Sequence, residues 1–247
     1  MRSDRWRRAA AVLALPLLLT VSTTPVAAAT ASDGMAAPAQ PTRSARVAPN
    51  ACSDPAYSLL GGKWNGALRW SFQSSSAPGE YATSSVLTVL KRSFANMTGA
   101  RNDCGLADTV GARSKYLGAT SRAPGVTKGG YCNGRDGHNV VGFGPLPLGI
   151  LAVTCTWTNG RGKMIEADIR VNSRIYWALS ASSCHYWQEL LEPTMTHEIG
   201  HAFGLGHVGE RKHGRLTMST TSDGPCDNSE TTLGWGDIRG LNHLYPL

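Results

Sequence analysis

Two histidines are spaced so that a helix would direct both at one metal ion. Residues 197–207 read HEIGHAFGLGH, in which His197 and His201 are four positions apart. Four residues of helix turn the chain through about 400°, so the two imidazoles lie on one face, one turn apart. The segment therefore predicts a pair of metal ligands. Ordinary histidines on an amphipathic helix are the alternative, which the several fixed positions of the pattern weaken.

A third ligand and a proton-transfer group follow from the same segment. Gly204 can adopt a positive φ and turn the chain sharply, which brings His207 back toward the pair. Three neutral imidazoles suit Zn²⁺ and leave a fourth position for water, as in catalytic zinc sites. Glu198 would lie beside the ion, take a proton from the zinc-bound water and pass it to a leaving amine. We therefore predict one catalytic zinc ion with three histidine ligands and Glu198 as general base and acid.

Apolar patterning predicts the sheet that must support this segment. Residues 68–72 alternate apolar and polar side chains, as a half-buried strand does. Further strands are predicted over 139–143, 150–157 and 164–171, with an Asn159-Gly160 turn between the last two. In the last strand, Glu166, Asp168 and Arg170 face away from the apolar side.

Helical spacing predicts three helices. One follows from the apolar residues of 86–97, with Ser84 or Ser85 as its cap. A second has Pro193 in its first turn, continues through His201 and ends at Gly204. A third spans about 235–244. Strands early in the chain, interleaved helices and a helical end predict an α/β or α+β layer fold.

The start of the chain has the composition of a secretory signal over residues 1–29. A basic segment, MRSDRWRR, precedes a short apolar run and small residues suited to cleavage. The run is too short to span a bilayer. Residues 30–50, rich in Ala, Pro, Ser and Thr, are predicted to be a disordered linker or short pro-segment, and 51–247 one catalytic domain. We therefore expect a secreted, extracellular protein without a membrane span.

Charge and cysteine content limit the classes of partner. Without residues 1–29 the chain carries 20 basic and 16 acidic side chains, and the positive charges are scattered. This argues against a nucleic-acid partner. Six cysteines in an exported chain favour three disulfides over reactive thiols, with the connectivity left open. We expect a protein or peptide substrate and a monomer.

The motif HExxHxxGxxH followed by a methionine turn resembles the signature of metzincin metalloproteases. Met218, in the segment LTMST, matches the turn methionine, which forms an apolar floor under the zinc ligands of that family. GILAVT at 149–154 and LGWGDIRGLNHLYP at 233–246 resemble the edge strand and the C-terminal helix of the matrixin branch and its small secreted bacterial relatives. The resemblance extends from about Trp64 to Tyr245.

This resemblance implies a secreted zinc-dependent endopeptidase. Its fold would be a twisted, mostly parallel sheet with an antiparallel edge strand, an active-site helix and a cleft between upper and lower subdomains. The backbone around Leu151 and Ala152 would pair with an extended substrate. Asp237 would bind the backbone of the methionine turn. The alternative is a zinc-stabilised binding or inhibitory module without proteolysis, although such a module has no chemical need for Glu198. Hydrolysis of a non-protein amide is a third possibility.

Several features of related families are missing. Astacins and serralysins carry a tyrosine ligand two residues after the turn methionine, where this chain has Thr220. Val153 replaces the matrixin histidine that binds a structural zinc, and no acidic, glycine-rich calcium loop precedes the strand. We therefore expect neither a structural zinc nor a calcium site.

The remaining cysteines and histidines give weaker expectations. Cys184 and Cys226 flank segments that the zinc would bring together, so a disulfide could join them; Cys132–Cys155 and Cys52–Cys104 would then complete the set. Four other histidines are expected to be surface or locally hydrogen-bonded groups: His138, His185, His213 and His243.

Overall fold

The computed structural model describes residues 2–8 and 50–247. The predicted linker lies outside this part of the chain except for Asn50, and the predicted signal peptide lies outside it except for residues 2–8. The strands described are β1 (Arg2–Arg8), β2 (Ser58–Leu59), β3 (Leu68–Phe72), β4 (Ser114–Ala119), β5 (Val140–Gly144), β6 (Ile150–Thr158), β7 (Met164–Asn172), β8 (Trp177–Ala178), β9 (Glu189–Leu190), β10 (Leu205–Gly206) and β11 (Thr221–Ser222). The α-helices described are α1 (Thr83–Thr98), α2 (Leu191–Ala202), α3 (Glu210–His213) and α4 (Trp235–Leu244).

Five strands form a mostly parallel sheet with one antiparallel strand, as expected. Their order is β6–β7–β5–β3–β4. β7, β5, β3 and β4 are parallel to their neighbours, whereas β6 is antiparallel to β7 and joined to it by the predicted Asn159-Gly160 turn. The predicted strands end within one or two residues of the observed ones. Mixed α/β architecture with this sheet confirms the expected fold class.

The backbone of residues 2–8 lies along the outer edge of β6. β1 is antiparallel to β6, with Trp6 opposite Ala152, and parallel to β11, with Arg7 opposite Thr221. Neighbouring strands are about 4.8 Å apart, so β6 and β11 flank a space as wide as one extended chain. If the predicted signal is removed, this space opens and β6 becomes the edge strand.

Helices α1 and α2 pack together and bury a shared apolar core. Val86, Leu90 and Met97 of α1 are buried with Met195 and Ile199 of α2 in this core. An amphipathic helix gains most of its stability from such burial, and each large side chain contributes about 1.5–3 kcal/mol. The core therefore holds α2, the helix that carries two of the predicted ligands, in a fixed position.

The predicted cap of α1 is wrong. α1 begins at Thr83, and Ala82 occupies the cap position without a side-chain cap. The N–H groups of Ser85 and Val86 both donate to the carbonyl oxygen of Ala82, so both candidate serines lie within the first turn. By contrast, α4 spans the residues predicted for it, and α2 contains Pro193 in its first turn.

Three disulfides connect distant parts of the domain. They are Cys52–Cys104, Cys132–Cys155 and Cys184–Cys226. This connectivity confirms the expected pairing. No helix in residues 2–8 or 50–247 is long and apolar enough to cross a membrane.

The polar side of β7 is buried, because the loop before β5 covers it. The carboxylate of Asp168 accepts hydrogen bonds from the N–H groups of Gly125 (2.8 Å) and Val140 (2.7 Å). Glu166 likewise accepts bonds from the N–H groups of 136–137. Burial raises the pKa of Asp168 to about 7, although both hydrogen bonds favour the ionised form. Two buried carboxyls thus fasten this loop to the sheet.

Asp168 should make the domain less stable as the pH rises. The pKa of Asp168 is near 4 in an unfolded chain and about 7 in the folded protein. At pH values between these two, the folded state holds a proton that the unfolded state lacks, so raising the pH favours unfolding. From pH 5 to pH 8 we expect the free energy of unfolding of the wild type to fall by about 1–3 kcal/mol more than that of Asp168→Asn. Urea unfolding with the disulfides intact measures both. Parallel pH profiles for the two proteins would contradict this role.

Candidate metal centre

Helix α2 carries His197 and His201, and Gly204 ends the helical path. Gly204 has a φ of +98°, and a Cβ built on it would lie 2.2 Å from the carbonyl oxygen of Gly62. Only glycine fits both the backbone conformation and this close approach. The chain then turns through β10 and returns to α2 at His207, as the sequence predicts.

The three imidazoles meet at one point. Nε2 of His207 lies 3.1 Å from Nε2 of His197 and 3.0 Å from Nε2 of His201. Nδ1 of His197 lies 2.6 Å from the carbonyl oxygen of Thr217, and Nδ1 of His201 lies 2.9 Å from that of Leu205. A carbonyl oxygen only accepts, so each Nδ1 carries a proton and each Nε2 presents a lone pair to the centre. Three ring nitrogens arranged in this way could hold one metal ion.

The electrostatics of the site keep these rings neutral. His197 and His201 are completely buried. Burial, followed by the proximity of His201 and His207, holds the pKa of His197 well below its usual range. Burial lowers the pKa of His201 to about 4. Neutral imidazole is the form that binds a metal, so these two ligands need no deprotonation near neutral pH.

Glu198 is buried next to the cluster and contacts Thr154, which no sequence motif indicates. The hydroxyl of Thr154, in β6, lies 2.5 Å from Oε2 of Glu198 and 3.0 Å from its carbonyl oxygen. A carboxylate accepts only, so Thr154 donates to the ionised form of Glu198. The contact connects the sheet to α2 at the candidate proton-transfer group.

Met218 packs against α2 between the two helical ligands. Its side chain is 2% exposed, and a Cβ built on Gly200 would lie 2.3 Å from its sulfur atom. The thioether therefore fills the space that any larger residue at position 200 would take. This places an apolar side chain beside the histidines, as the methionine-turn resemblance implies.

The comparison with family models gives a match to part of the chain. Residues 146–246 match the model of the matrixin family. This segment is therefore similar to matrixins, and we call it the matrixin-like domain. A sequence search finds no match among curated proteins. The matched range contains β6, β7, α2 and α4, whereas α1 and the strands β3, β4 and β5 precede it.

The match to the matrixin family implies a zinc metalloendopeptidase. Within the matched range, His197, His201 and His207 form a cluster whose ring nitrogens lie within 4.8 Å of one another. Within residues 2–8 and 50–247, no other group of three or more histidine, cysteine or acidic side chains meets that distance. The cluster is therefore the place in the described chain where a zinc ion fits.

The remaining histidines of the matrixin-like domain, and the one before it, lie outside the cluster. Nδ1 of His213 is 2.8 Å from a carboxylate oxygen of Asp54, which is buried. His185 stacks on Trp187 with ring centroids 4.7 Å apart. His213 is thus a locally hydrogen-bonded group, as expected, and it ties α3 to the start of the domain.

Asp237 supports the methionine turn of the matrixin-like domain. Its carboxylate accepts hydrogen bonds from the N–H groups of Thr217 (3.0 Å), Met218 (3.2 Å) and Gly234 (2.9 Å). Burial raises the pKa of Asp237 to about 6, against the effect of these donors. Since Thr217 also supplies the carbonyl that orients His197, Asp237 acts on the metal centre through the turn.

Replacing Asp237 by alanine leaves three buried N–H groups without their acceptor. Each orphaned group costs roughly 1–3 kcal/mol, so we expect the free energy of unfolding to fall by about 3 kcal/mol or more. Urea unfolding with intact disulfides measures the loss. Glu80→Ala, which truncates an exposed acid far from the turn, is the matched control and should change stability by less than about 0.5 kcal/mol. Equal effects of the two substitutions would contradict the role of Asp237.

Proposed function

We propose that this protein is a secreted zinc-dependent endopeptidase in which His197, His201 and His207 hold Zn²⁺ and Glu198 transfers protons. The observation that carries the proposal is the convergence of three neutral imidazoles beside a buried glutamate. A structural zinc site closes its coordination sphere with four protein ligands, whereas a catalytic one leaves a position free. Three histidines and an adjacent carboxylate match the catalytic pattern.

The donor set fits zinc in number, chemistry and spacing. Tetrahedral Zn²⁺ with nitrogen ligands at 2.0–2.1 Å requires ligand atoms roughly 3.3 Å apart. The Nε2 atoms are 3.0 and 3.1 Å apart in two of the three pairs. Lone pairs at such distances repel one another, and a cation at their centre turns that repulsion into attraction.

The proposed mechanism divides the work between the metal and two side chains. Zinc bound at the three histidines would act as a Lewis acid on the scissile carbonyl and lower the pKa of a water. Glu198 takes the proton of the attacking water and later delivers it to the leaving amine. Thr154 holds Oε2 of Glu198 in place through its hydroxyl. A carboxylate fixed in this way is preorganised for both transfers.

An extended polypeptide is the substrate that suits the cleft. β1 runs for seven residues between β6 and β11, beside the strand that carries Thr154. A substrate in the same place would gain backbone hydrogen bonds by strand addition. The expected contact at Ala152 has its counterpart in the pairing of that residue with Trp6. β1 extends along β6 on both sides of the residue opposite Thr154. A substrate bound in this way would continue on both sides of its scissile bond, which supports cleavage within a polypeptide.

Secretion is supported by the signal-like composition of residues 1–29 and by the three disulfides. Disulfides persist in oxidising compartments outside the cytosol. The binding-module alternative remains a competing outcome of the experiment below. Glu198 weighs against it, because burying a carboxylate beside a metal site has a cost that catalysis explains and binding does not.

Glu198→Gln should retain zinc and lose nearly all activity. Glutamine keeps the size of the side chain but cannot take a proton, and a positioned proton-transfer group contributes about 10²–10⁴-fold. The assay is cleavage of casein, with zinc per chain measured on the same samples. Wild-type protein treated with a chelator should also be inactive and should recover on adding zinc.

Glu80→Gln makes the same chemical change at an exposed site and should behave as wild type. Undiminished cleavage by Glu198→Gln would refute the proposed mechanism. A wild type that binds one zinc yet cleaves neither casein nor a broad peptide library would favour the binding module.

Thr154→Val should lower kcat by about tenfold without loss of zinc. Valine has nearly the same shape but removes the hydroxyl that positions Glu198, and a misplaced catalytic group loses rate rather than affinity. KM should change little. Thr154→Ser restores the hydroxyl and should restore most of kcat. Failure of serine to improve on valine would show that Thr154 acts only through packing.

A further inference from the structure

One end of the cleft lies where the C-terminus of β1 leaves it. The last residues of β1 are opposite Ile150, the first residue of β6, and Ser222, the last residue of β11. A polypeptide on the path of β1 passes between these two strand ends, a place that we call the exit. Asp4 is opposite Thr154, the partner of Glu198. A substrate in this direction therefore reaches the exit with residues on the C-terminal side of its scissile bond.

The exit has an exposed leucine on its β6 side. Leu148 precedes Ile150 by two residues and is 87% exposed. Asn172, at the end of β7, holds this loop, because its side-chain amide donates to the carbonyl oxygen of Ile150 at 2.7 Å. The Oδ1 atom of Asn172 accepts the N–H of Leu146 at 3.1 Å. The loop is thus fixed on both sides of Leu148, although the leucine side chain itself remains in solvent.

The chain after β7 leads from this loop to a second exposed side chain. Tyr176 follows the end of β7 by four residues and is 69% exposed. Its carbonyl oxygen accepts the N–H of Glu189 at 2.9 Å. The side-chain amide of Gln188 donates to the carbonyl oxygen of Trp177, also at 2.9 Å. These bonds place Tyr176 beside residues 184–188, the segment that we call the aromatic turn.

The aromatic turn presents two more apolar rings to solvent. Tyr186 is 81% exposed and Trp187 is 49% exposed. The ring of His185 stacks on that of Trp187, and Tyr186 meets Trp187 edge on, with ring centroids 4.7 Å apart in both pairs. The N–H of His185 donates to Oε1 of Gln188 at 2.9 Å. The rings are therefore held against one another, so a ligand that binds them orders little that is not already ordered.

The aromatic turn is attached to the β11 side of the exit. The N–H of Cys226 donates to the carbonyl oxygen of Gln188 at 3.3 Å, and a disulfide joins Cys226 to Cys184. Cys226 follows Ser222 by four residues, which span at most about 14 Å. Hydrogen bonds and short stretches of chain thus connect the start of β6, the end of β7, the aromatic turn and the end of β11.

Four exposed apolar side chains lie along this path, and we call them the exit rim: Leu148, Tyr176, Tyr186 and Trp187. The described chain exposes nine large apolar side chains, and four of them belong to the rim. Single exposed apolar residues are ordinary, whereas several around one opening mark a binding surface. The rim therefore calls for a ligand with apolar groups.

Continuity with the cleft favours the polypeptide substrate as this ligand. Its backbone would arrive at the exit already ordered by pairing with β6, so further contacts cost little additional freedom. Tyrosine and tryptophan rings bind apolar side chains, and their polar atoms can bind backbone groups. The rim is exposed although β1 fills the cleft. It is therefore reached by residues beyond those that pair with β6.

We propose that the exit rim is a second substrate-binding site, which holds apolar or aromatic residues several positions beyond the scissile bond on its C-terminal side. This inference rests on the proposed function. The rim lies away from the reacting atoms, so it contributes equally to binding the substrate and the transition state. Such uniform binding lowers KM and leaves kcat nearly unchanged.

The test compares two quenched fluorescent peptides that share one core, taken from a bond that the protein cleaves in casein. Both continue for about ten residues beyond the scissile bond, enough to pass the exit. One extension consists of Gly and Ser, and the other also contains Leu, Phe and Tyr. For the zinc-loaded protein we expect KM to be at least about fivefold lower for the apolar extension, with similar kcat. Mass spectrometry confirms that the same bond is cleaved.

Variants of the rim should remove this difference in KM. Leu148→Ser should reduce the ratio of the two KM values, and the double variant Tyr186→Ser with Trp187→Ser should bring it close to one. All three side chains are exposed, so the fold should tolerate these changes. Leu117→Ser is the matched control, because Leu117 is 51% exposed on β4, at the other edge of the sheet. It should leave the ratio unchanged.

A binding measurement separates this inference from the endopeptidase. Labelled forms of both peptides are titrated with zinc-loaded Glu198→Gln, and the apolar extension should bind at least about fivefold more tightly. Equal KM values and equal affinities would overturn the rim and leave the endopeptidase intact. Absence of cleavage of casein by the wild type would overturn the endopeptidase, whereas the titration would still test the rim.

A lipid surface is the competing ligand for exposed leucine and aromatic side chains. Vesicles of neutral phospholipid are therefore mixed with the wild type and with the double variant. Equal peptide affinities, together with vesicle binding that the double variant loses, would assign the rim to a membrane surface and overturn the proposal. A preference for the apolar extension that the double variant loses and Leu117→Ser retains would support it.

Discussion

Three imidazole nitrogens, two pairs of which are about 3 Å apart, impose the main constraint on this structure. Their lone pairs repel one another unless a cation lies between them, so the fold must hold them in place before the metal contributes. It does so through backbone carbonyls. The oxygen of Thr217 orients His197 and that of Leu205 orients His201. Both carbonyls belong to segments that follow α2, so the chain must fold back on its own helix twice.

Each return of the chain depends on one further residue. Gly204 allows the first, because its positive φ and its approach to Gly62 exclude a side chain. Asp237 secures the second by accepting three backbone N–H groups around the methionine turn. Met218 then occupies the space that Gly200 leaves on α2. The geometry of the centre is thus set by contacts that involve residues outside the motif, which are Gly62, Met218 and Asp237.

The sequence predicts features that depend on neighbouring residues and misses those that depend on register. The histidine ligands lie within one short segment, so their spacing reveals them. Thr154 is 44 positions from Glu198, and only the placement of β6 against α2 brings the two together. The alternating pattern of β7 predicts a polar face. It does not predict that this face is buried, because the pattern along one strand does not indicate which loop lies over the sheet. The burial of Glu230, which is 2% exposed, is not indicated by any sequence pattern either, since a lone acid in a loop is usually exposed.

The proposed catalytic group and the segments around it are held by different kinds of contact. Glu198 and its partner Thr154 lie on a helix and a strand, which hold a reacting group more precisely than a loop does. The disulfide between Cys184 and Cys226 ties the chain after the methionine turn to the segment before α2. Such a cross-link restricts the unfolded chain, so it stabilises the arrangement in which these two segments enclose α2 along the sequence.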